Sequence, residues 1–301
     1  MPQTLSVIKA DIGGFVGHSA MHPEVLAEGM PGVFAGMNLL AGSGAVIVNP
    51  TLRATKAQVG DQVKIPRFNT IGEMQDISEG GAAEIQSLSQ GSELATVEHS
   101  AIAIGVGEWA QIAAADDPYA EARRQIMIAV QRKLDAKLIA KARATSLILN
   151  RYDNADASLN GTLNYDMGAD AMDLFGDENE EGDFVLWGMH SRTKTNLRKT
   201  KDSTGRSLLS DQQGSLSRFM GIPITQSDKL TASSDSPPKY ETLLAKRGAL
   251  AAWINPNMGI QEDRDILADD TVMAFHLYYC VHLYTRTYDG TRCGVAKVQH
   301  K

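Results

Sequence analysis

The chain has 301 residues, 43% of them hydrophobic, so it can bury one large core or two modest ones, which excludes a disordered chain or a disulfide-stapled miniprotein. No apolar run approaches the roughly 20 residues of a membrane helix, and two cysteines with no secretory signal at the start indicate synthesis in the cytoplasm. A formal net charge of -7 argues against a main surface that binds nucleic acid, although local basic patches stay open.

The first part of the chain is expected to be an extended arm followed by a projecting two-stranded finger. Residues 31–54 are small, apolar and glycine-rich without a helix or strand period, so residues 1–54 are interpreted as an arm lying on another surface. Apolar and polar residues alternate over 59–68 and again over 95–106, which predicts two strands. The stretch between them, 69–94, is too polar and too long for a tight turn, and loops of this kind usually bind something.

The clearest helix begins at residues 116–118, where two aspartates and a proline favour a helix start. Apolar residues recur every three or four positions over 119–138, and basic residues fill the other face. The helix is expected to end near Ala144, about 40 Å from its start. Because Glu121 and Asp135 interrupt the basic face, that face is interpreted as solvated rather than as a nucleic-acid site.

An α/β part is predicted after the long helix. Its expected elements alternate as helix, strand and helix over 167–175, 184–187 and 192–199. Residues 271–286 are rich in aromatic and β-branched types and predict a strand. The Asp-Gly pair at 289–290 then predicts a hairpin turn into a final strand over 293–298.

The order of arm, finger, long helix, α/β part and terminal strands resembles the major capsid proteins of tailed bacteriophages with the Hong Kong 97 (HK97-like) fold. Several segments carry this resemblance. Residues 59–66 with 77–80 look like the opening of that family's E-loop, and 186–206 look like its strand, helix and Lys-Asp-x-x-Gly-Arg turn. Residues 220–225 are similar to its Gly-x-Pro-Val strand, and 262–265 resemble the polar lead into its last strands. The order of these motifs along the chain makes the resemblance specific.

The resemblance implies an α+β chain with the HK97-like capsid fold. This fold has an N-terminal arm, an extended E-loop hairpin, a peripheral domain with a long spine helix, and an α/β axial domain. The implied boundaries are 1–54 for the arm, 55–108 for the E-loop finger, 109–148 for the peripheral domain with the spine helix, 149–260 for the axial domain, and 261–301 for terminal strands that return to the peripheral domain.

The resemblance also implies a structural protein rather than an enzyme, with no catalytic residue, cofactor or metal to carry over. Its function would be self-assembly, as pentamers and hexamers, into an icosahedral virion capsid built in the host cytoplasm. Double-stranded DNA, held by weak non-specific contacts, and scaffolding and portal proteins are the other expected partners, and no membrane is. Subunit contacts are expected at charged residues of the finger and helix, namely Asp61, Lys64, Arg67, Glu73, Asp76, Glu79, Glu84, Arg123, Arg124 and Arg132.

Residues 1–25 carry a separate resemblance, to the start of archaeal-type bifunctional fructose-1,6-bisphosphate aldolase/phosphatase. In that family the matching aspartate and histidine bind magnesium, which implies Asp11 and His18 as ligands here. The further aspartates and the lysine and tyrosine segments of that family do not follow, although phosphate chemistry needs such a cluster. A magnesium-dependent enzyme is therefore the distant alternative, and an arm in which His18 makes ordinary packing contacts is the other interpretation.

Two further sets of residues attract attention. His276, Cys280 and His282 share one face of the predicted strand and suggest a metal site, but aromatic core packing is favoured because no second ligand pair accompanies them. The three tryptophans are interpreted as core anchors: Trp109, Trp187 and Trp253.

An encapsulin-type compartment shell is the alternative on the same fold, because a fold does not fix a function. Some capsid relatives also lock their shells with an isopeptide bond between a finger lysine and an asparagine of the next subunit, with a buried glutamate acting as base. In this chain Lys64 lies near the base of the finger, and no lysine occurs between Lys64 and Lys133. We therefore expect a shell without covalent cross-links.

Overall fold

The fold was analysed in a computed structural model of the chain. The structure describes residues 40, 43–49, 62–68, 74, 76–77, 85–114, 117–153, 161–200, 216–230, 233, 236, 238–254, 260–265, 270–284 and 293–301.

The described residues form thirteen strands and four α-helices, with three short 3-10 turns. The strands are β1 (Val46–Asn49), β2 (Gln62–Phe68), β3 (Gln90–Thr96), β4 (Glu98–Gly107), β5 (Leu147–Asn150), β6 (Phe184–Met189), β7 (Arg218–Phe219), β8 (Ile222–Gln226), β9 (Tyr240–Lys246), β10 (Leu250–Ile254), β11 (Gln261–Asp265), β12 (Asp270–Leu283) and β13 (Val295–His300). The helices are α1 (Glu108–Ala113), α2 (Pro118–Arg143), α3 (Tyr165–Asp173) and α4 (Ser191–Lys199). The 3-10 turns are Gly176–Glu178, Glu181–Asp183 and Asp228–Leu230.

A five-stranded sheet carries the long helix α2 on one face. Its strand order is β1-β10-β12-β11, and β4 also pairs antiparallel with β12. Alternate residues of β12 point to opposite faces, so Met273, Phe275 and Tyr279 are buried on the side where Ile126 and Leu138 of α2 pack. Burial of this apolar face holds the helix on the sheet.

A six-stranded sheet of order β5-β13-β9-β6-β8-β7 forms a second unit. Every residue of its strand β9 is buried. Trp187 packs edge-on against Phe219, with ring centroids 5.4 Å apart, and α3 covers part of β13. The prediction of a second unit that mixes helices and strands is confirmed by these elements.

The predicted start of the long helix is confirmed in detail. Asp117 caps α2, because its carboxylate accepts hydrogen bonds from the backbone N–H groups of Tyr119 and Ala120. Pro118 occupies the first turn, and Lys141 and Arg143 lie in the last turn, where positive charge favours the helix dipole. With 26 residues, α2 is about 39 Å long.

The finger is a β2–β3 hairpin, and its base differs from the prediction. Gln62 pairs with Thr96, and Phe68 pairs with Gln90, so the return strand begins at Gln90, five residues before its predicted start at 95. The predicted single strand over 95–106 is two strands, of which β3 pairs with β2 and β4 pairs with β12. The alternation of side chains runs through Val97 without a break, so the sequence pattern does not reveal the change of partner.

The end of the predicted arm is part of the subunit's own sheet. Strand β1 pairs in parallel with β10. Leu40 and Ala45, which precede this strand, are fully buried. Gly44, with a φ of 80°, makes the turn into the strand. The prediction of an arm without strand structure over 1–54 is therefore wrong at this end, because four residues are too few for a sequence period to show. Residues 1–39 lie outside the described residues.

The predicted hairpin of the two terminal strands is wrong, because β12 and β13 lie in different sheets. Strand β13 pairs with β5 and β9 in the six-stranded sheet, so residues 295–300 do not return to the peripheral unit. Conversely, β10, predicted inside the axial range 149–260, belongs to the five-stranded sheet. The turn propensity of residues 289–290, themselves outside the described part, is local, whereas the burial of Val295 and Val298 decides where β13 lies.

Candidate assembly surfaces

The base of the finger is packed on the five-stranded sheet. Ala95 and Val97 lie against Ala251, Trp253 and Cys280, a cluster that the alternation of β12 puts on the face opposite to α2. Burial raises the pKa of the Cys280 thiol to about 11, so this residue stays protonated and packs as a small apolar side chain.

Polar contacts reinforce the same base. On the α2 side, Lys137 Nζ lies 2.5 Å from Glu98 Oε2, and the Tyr279 hydroxyl donates to the same oxygen at 3.0 Å. The hydrogen bond from Lys137 lowers the pKa of Glu98 and raises that of Lys137, while burial raises the pKa of Tyr279. On the other face, His282 of β12 contacts Glu93 of β3 through Nε2. Contacts on both faces therefore fix the direction in which the finger leaves the subunit.

Beyond its base, the finger exposes large apolar side chains to solvent. Met74 is 100% exposed and Ile85 is 97% exposed. Ile77, Leu88 and Leu94 are exposed over half of their surface or more. A cluster of apolar side chains that one chain leaves in water is typical of a surface that binds another protein.

Of the charged finger residues that the sequence singled out, Lys64, Arg67 and Asp76 belong to the described part of the chain. Lys64 and Asp76 are exposed, and Arg67 lies in β2, where only its backbone is described. The other four, Asp61, Glu73, Glu79 and Glu84, lie outside the described residues. Contacts of these side chains with another subunit stay a prediction.

The basic residues predicted for contacts on α2 have partners within the chain. Arg123 forms an ion pair with Glu262 of β11 at 2.7 Å, and Arg124 pairs with Glu121 one turn earlier, also at 2.7 Å. Arg132 is exposed, and its backbone carbonyl accepts a hydrogen bond from Lys229 Nζ at 3.2 Å. Any contact of these arginines with another copy would compete with or extend pairs that already exist.

Asp135 is a buried carboxylate on α2 that joins three parts of the chain. It accepts a hydrogen bond from the backbone N–H of Leu40 at 3.2 Å and pairs with Lys229 Nζ, also at 3.2 Å. The sequence interpretation placed Asp135 on the solvated face. The helical spacing is the sequence signal for the burial of Asp135. Ile128 and Ala142 lie seven residues before and after it, on the same helix face, and both are buried.

Helix α1 presents Trp109 and Ile112 to solvent, with exposed fractions of 79% and 75%. The interpretation of Trp109 as a core anchor is therefore wrong, whereas it is confirmed for Trp187 and Trp253, which are buried.

The structure separates the residues that suggested a metal site. His276 Nδ1 lies 3.1 Å from His99 Nε2, whereas Cys280 and His282 belong to the finger base. Within the described ranges, no three or more histidine, cysteine, aspartate or glutamate side chains gather as a metal site. Asp11 and His18 lie outside those ranges. Among the helices that the structure describes, none is long and apolar enough to cross a membrane.

Comparison with solved structures identifies the arrangement of the two sheets, finger and spine helix. A chain of Mycobacterium phage Che8 superposes with a TM-score of 0.64 at 15% identity, covering 91% of this chain and 98% of that one. A chain of Microbacterium phage Oxtober96 gives a TM-score of 0.66 at 14% identity over 97% and 99%. The chain has the Hong Kong 97 type capsid fold. A subunit described as the capsid of a native GTA particle is also similar, with a TM-score of 0.67 at 14% identity over 91% and 94%.

Sequence comparison agrees with this fold. The model of the phage capsid family matches residues 148–280, from β5 into β12.

A short match concerns the second resemblance. The fructose-1,6-bisphosphate aldolase/phosphatase of Moorella thermoacetica is 83% identical over 23 residues, which are 8% of this chain and 6% of that enzyme. The chain thus spans only a small fraction of the curated relative that it matches.

Proposed function

We propose that this chain is a major capsid protein that assembles, as pentamers and hexamers, into the icosahedral head of a tailed phage around a double-stranded DNA genome. The capsid fold and the family match over 148–280 support this proposal. Assembly in the host cytoplasm with scaffolding and portal proteins belongs to the same proposal.

The exposed finger is the observation that carries the proposal. A two-stranded hairpin is marginally stable alone, and among the described residues of this one, those at the base pack on the subunit. Covering Met74, Ile85 and Leu88 on another copy would contribute about 25 cal/mol per Å² of apolar surface. Many such contacts in a closed shell act together, so each can be weak while the particle is stable.

Electron microscopy and light scattering of the purified chain test the assembly. We expect closed or ring-like particles of megadalton mass. A monodisperse monomer at high concentration, with a finger that resists protease, would contradict the proposal. Particles isolated from cells should protect double-stranded DNA from nuclease, whereas packaged enzyme would indicate an encapsulin-type compartment.

Catalysis is not part of the proposed function. A phosphate-release assay with fructose 1,6-bisphosphate and magnesium should give no turnover above background for the wild type. Turnover that the double substitution Asp11→Ala and His18→Ala abolishes would contradict this, because those are the residues that the amino-terminal resemblance implies as ligands.

The shell is proposed to be non-covalent. Lys64 is exposed on β2 near the base of the finger, away from the finger tip where the cross-linking lysine would be needed. Boiled particles should therefore run on a denaturing gel as single chains of 32.5 kDa. A ladder of higher species that survives reductant would show covalent cross-links.

A further inference from the structure

Charged residues are segregated between two helices of the six-stranded unit. Between Arg151 and Arg192 the sequence contains aspartates and glutamates but no lysine or arginine. Helix α4 then reverses the sign, since all of its charged residues are basic. Two neighbouring segments of opposite charge therefore give this unit one acidic and one basic surface.

The charged residues of α4 are turned away from the core. Thr193 and Leu197, four residues apart, are buried on one side of the helix. The basic residues flank the opposite side, where Lys194 is half-buried and the other three are exposed, and this α4 basic face is defined as Arg192, Lys194, Arg198 and Lys199. At the start of the helix, Asp228 accepts a hydrogen bond from the Ser191 hydroxyl at 2.8 Å. With this carboxylate counted, the α4 basic face is still positive.

Neither ion pairs within the described chain nor the helix dipole account for the α4 basic face. Among the described residues, no ion pair involves Arg192, Lys194 or Lys199. By contrast, Arg123 and Arg124 of α2 both have acidic partners. Arg192 lies in the first turn of α4, where a positive charge opposes the helix dipole. The α4 basic face therefore has charges left for a partner outside the subunit.

Helix α3 and the turn after it carry the complementary charge. Asp166, Asp170 and Asp173 recur at intervals of four and three residues, so they form a stripe on one face of α3, away from the buried Ala171 and Met172. Two exposed carboxylates follow, and the acidic stripe is defined as Asp166, Asp170, Asp173, Asp177 and Glu180. Asp173 lies in the last turn of α3, where a negative charge opposes the helix dipole, so helix stability does not account for it either.

Cations of the same subunit neutralise part of the acidic stripe. Arg151 pairs with Asp170 at 2.6 Å, and Lys246 pairs with Asp183, outside the stripe, at 3.9 Å. Arg218 of β7 is exposed and forms no ion pair with the stripe within the part of the chain that the structure describes. The other carboxylates of the stripe also have no ion pair among those residues, so the stripe stays negative in one subunit.

We propose that the α4 basic face of one copy docks on the acidic stripe of another copy of this chain. The inference rests on the proposed shell function, which requires repeated contacts between identical subunits. Opposite charges that lack partners within one subunit are paired when two copies meet, and such complementarity gives a contact its register and specificity. Each copy carries both surfaces, so it can present one and receive the other throughout a closed assembly. Packaged DNA would account for the α4 basic face alone, whereas a second copy accounts for both surfaces.

A charge swap tests this contact. Arg192→Glu would weaken the α4 basic face, and Asp173→Lys would weaken the acidic stripe. Each substitution puts a favourable charge at its end of the helix, and both side chains are exposed, so the urea midpoint of each subunit should be no lower than that of the wild type. Each variant alone should need roughly tenfold more protein to assemble, whereas the chain that carries both substitutions should assemble near the wild-type concentration.

A matched control separates this pairing from an effect of net charge. Arg192→Glu combined with Asp263→Lys has the same net charge as the swapped chain, but Asp263 is exposed on β11 of the five-stranded sheet. The control should assemble as poorly as Arg192→Glu alone. Equal assembly of the control and the swapped chain, or single variants that assemble like the wild type, would overturn the inference.

The same variants distinguish a second copy from DNA. If packaged DNA were the partner of the α4 basic face, Arg192→Glu would form shells at the wild-type concentration that protect less DNA from nuclease. Adding Asp173→Lys would then not restore the protected DNA. That result would overturn the contact between copies.

Chemical cross-linking reports the contact without any substitution. A carbodiimide joins lysine amines to carboxylates that touch them, so in particles Lys194 or Lys199 should become linked to the acidic stripe. Particles assembled from a mixture of normal and heavy-isotope subunits should yield linked peptides that carry one label of each kind. Particles without such mixed pairs would overturn this inference and leave the shell function intact. If the wild type forms no particles, the shell function fails, and mixed pairs in a smaller oligomer would still support the contact, whereas their absence would refute it as well.

Discussion

The finger and the six-stranded sheet differ in how far their own chain covers their apolar side chains. In the six-stranded sheet, all of β9 is buried, and Trp187 is completely enclosed by its own chain. In the finger, β3 buries Ala95 while Leu94 and Gln90 are exposed, and Ile85 and Met74 nearer the tip are almost fully exposed.

This difference shows which contacts belong to folding and which to assembly. The sheet is complete within one subunit, so its side chains set the free energy of unfolding. Among the described residues, the finger packs on the subunit at its base, and its outer apolar side chains are exposed and available to stabilise a complex of several copies. The comparison can be tested by substitutions ranked by their expected effect on the stability of a single subunit.

The largest loss of subunit stability is expected for Trp187→Ala. This side chain is fully buried against Phe219, so its removal leaves a cavity and should cost about 3–5 kcal/mol. Trp109→Ala is the matched control, because Trp109 is mostly exposed and should change the free energy of unfolding by less than about 0.5 kcal/mol. Urea unfolding of subunits measures both, and similar losses would contradict the division between core and assembly surface.

The second largest effect is a pH dependence from His300 in β13. Burial lowers the pKa of His300 to about 4, and the neutral ring donates from Nδ1 to the carbonyl of Lys301 and accepts from the Thr242 hydroxyl at Nε2. The unfolded state, with a histidine pKa of about 6.5, binds a proton between these values and the folded state does not. Stability should therefore fall by about 2 kcal/mol from pH 7 to pH 5.

His300→Gln is the control for this pH dependence, because glutamine keeps polar atoms at the site and does not titrate. The variant should be less stable than the wild type at pH 7, but its urea midpoint should change less between pH 7 and pH 5. If both proteins lose stability in parallel, His300 is not the source.

The sequence predicted elements well where the signal is local and failed where the partner is distant. The cap at Asp117 and the spacing of apolar residues located α2 to within a residue at each end. The Asp-Gly pair at 289–290 predicts a local turn, but it carries no information on the sheet that β13 joins. The change of partner at Val97 was equally hidden, because alternation is the same whichever strand lies alongside.

A loss of similar size is expected at Asp135 of α2, which joins the helix to Leu40 and to the turn that holds Lys229. Asp135→Ala would leave Lys229 and the backbone N–H of Leu40 without this acceptor, at a cost of about 2 kcal/mol, since Lys229 is itself partly exposed. Asp135→Asn keeps an acceptor oxygen for Leu40 and should cost less. Urea unfolding distinguishes the two variants, and equal costs would mean that the hydrogen bond to Leu40 contributes nothing.

Asp135 and Trp109 also show why the candidate surfaces were only partly predictable. From residue type alone, an aspartate is expected at the surface and a tryptophan in the core. In the structure Asp135 is buried and Trp109 is exposed. The helix face that holds Asp135 meets Lys229 from a distant turn, and Trp109 lies on the short helix α1, which does not enclose it. The finger was found from sequence because its length and polarity are unusual for a loop, whereas the exposure of Met74 and Ile85 depends on three-dimensional packing.

The smallest effect on subunit stability, and the largest on assembly, is expected when the finger is shortened between Gly72 and Gly91. The hairpin would then keep the part of its base that packs through Ala95 and Val97 on Trp253, so circular dichroism and the urea midpoint of the subunit should stay within about 0.5 kcal/mol of the wild type. Particle yield should nevertheless fall to background, because the outer apolar side chains would be gone. A full-length variant with Ile85→Ser and Leu88→Ser separates this loss of apolar contacts from the loss of length, and it should assemble poorly as well. If shortening unfolds the subunit whenever it prevents assembly, the finger belongs to the core of its own chain and the division drawn between the two regions is wrong.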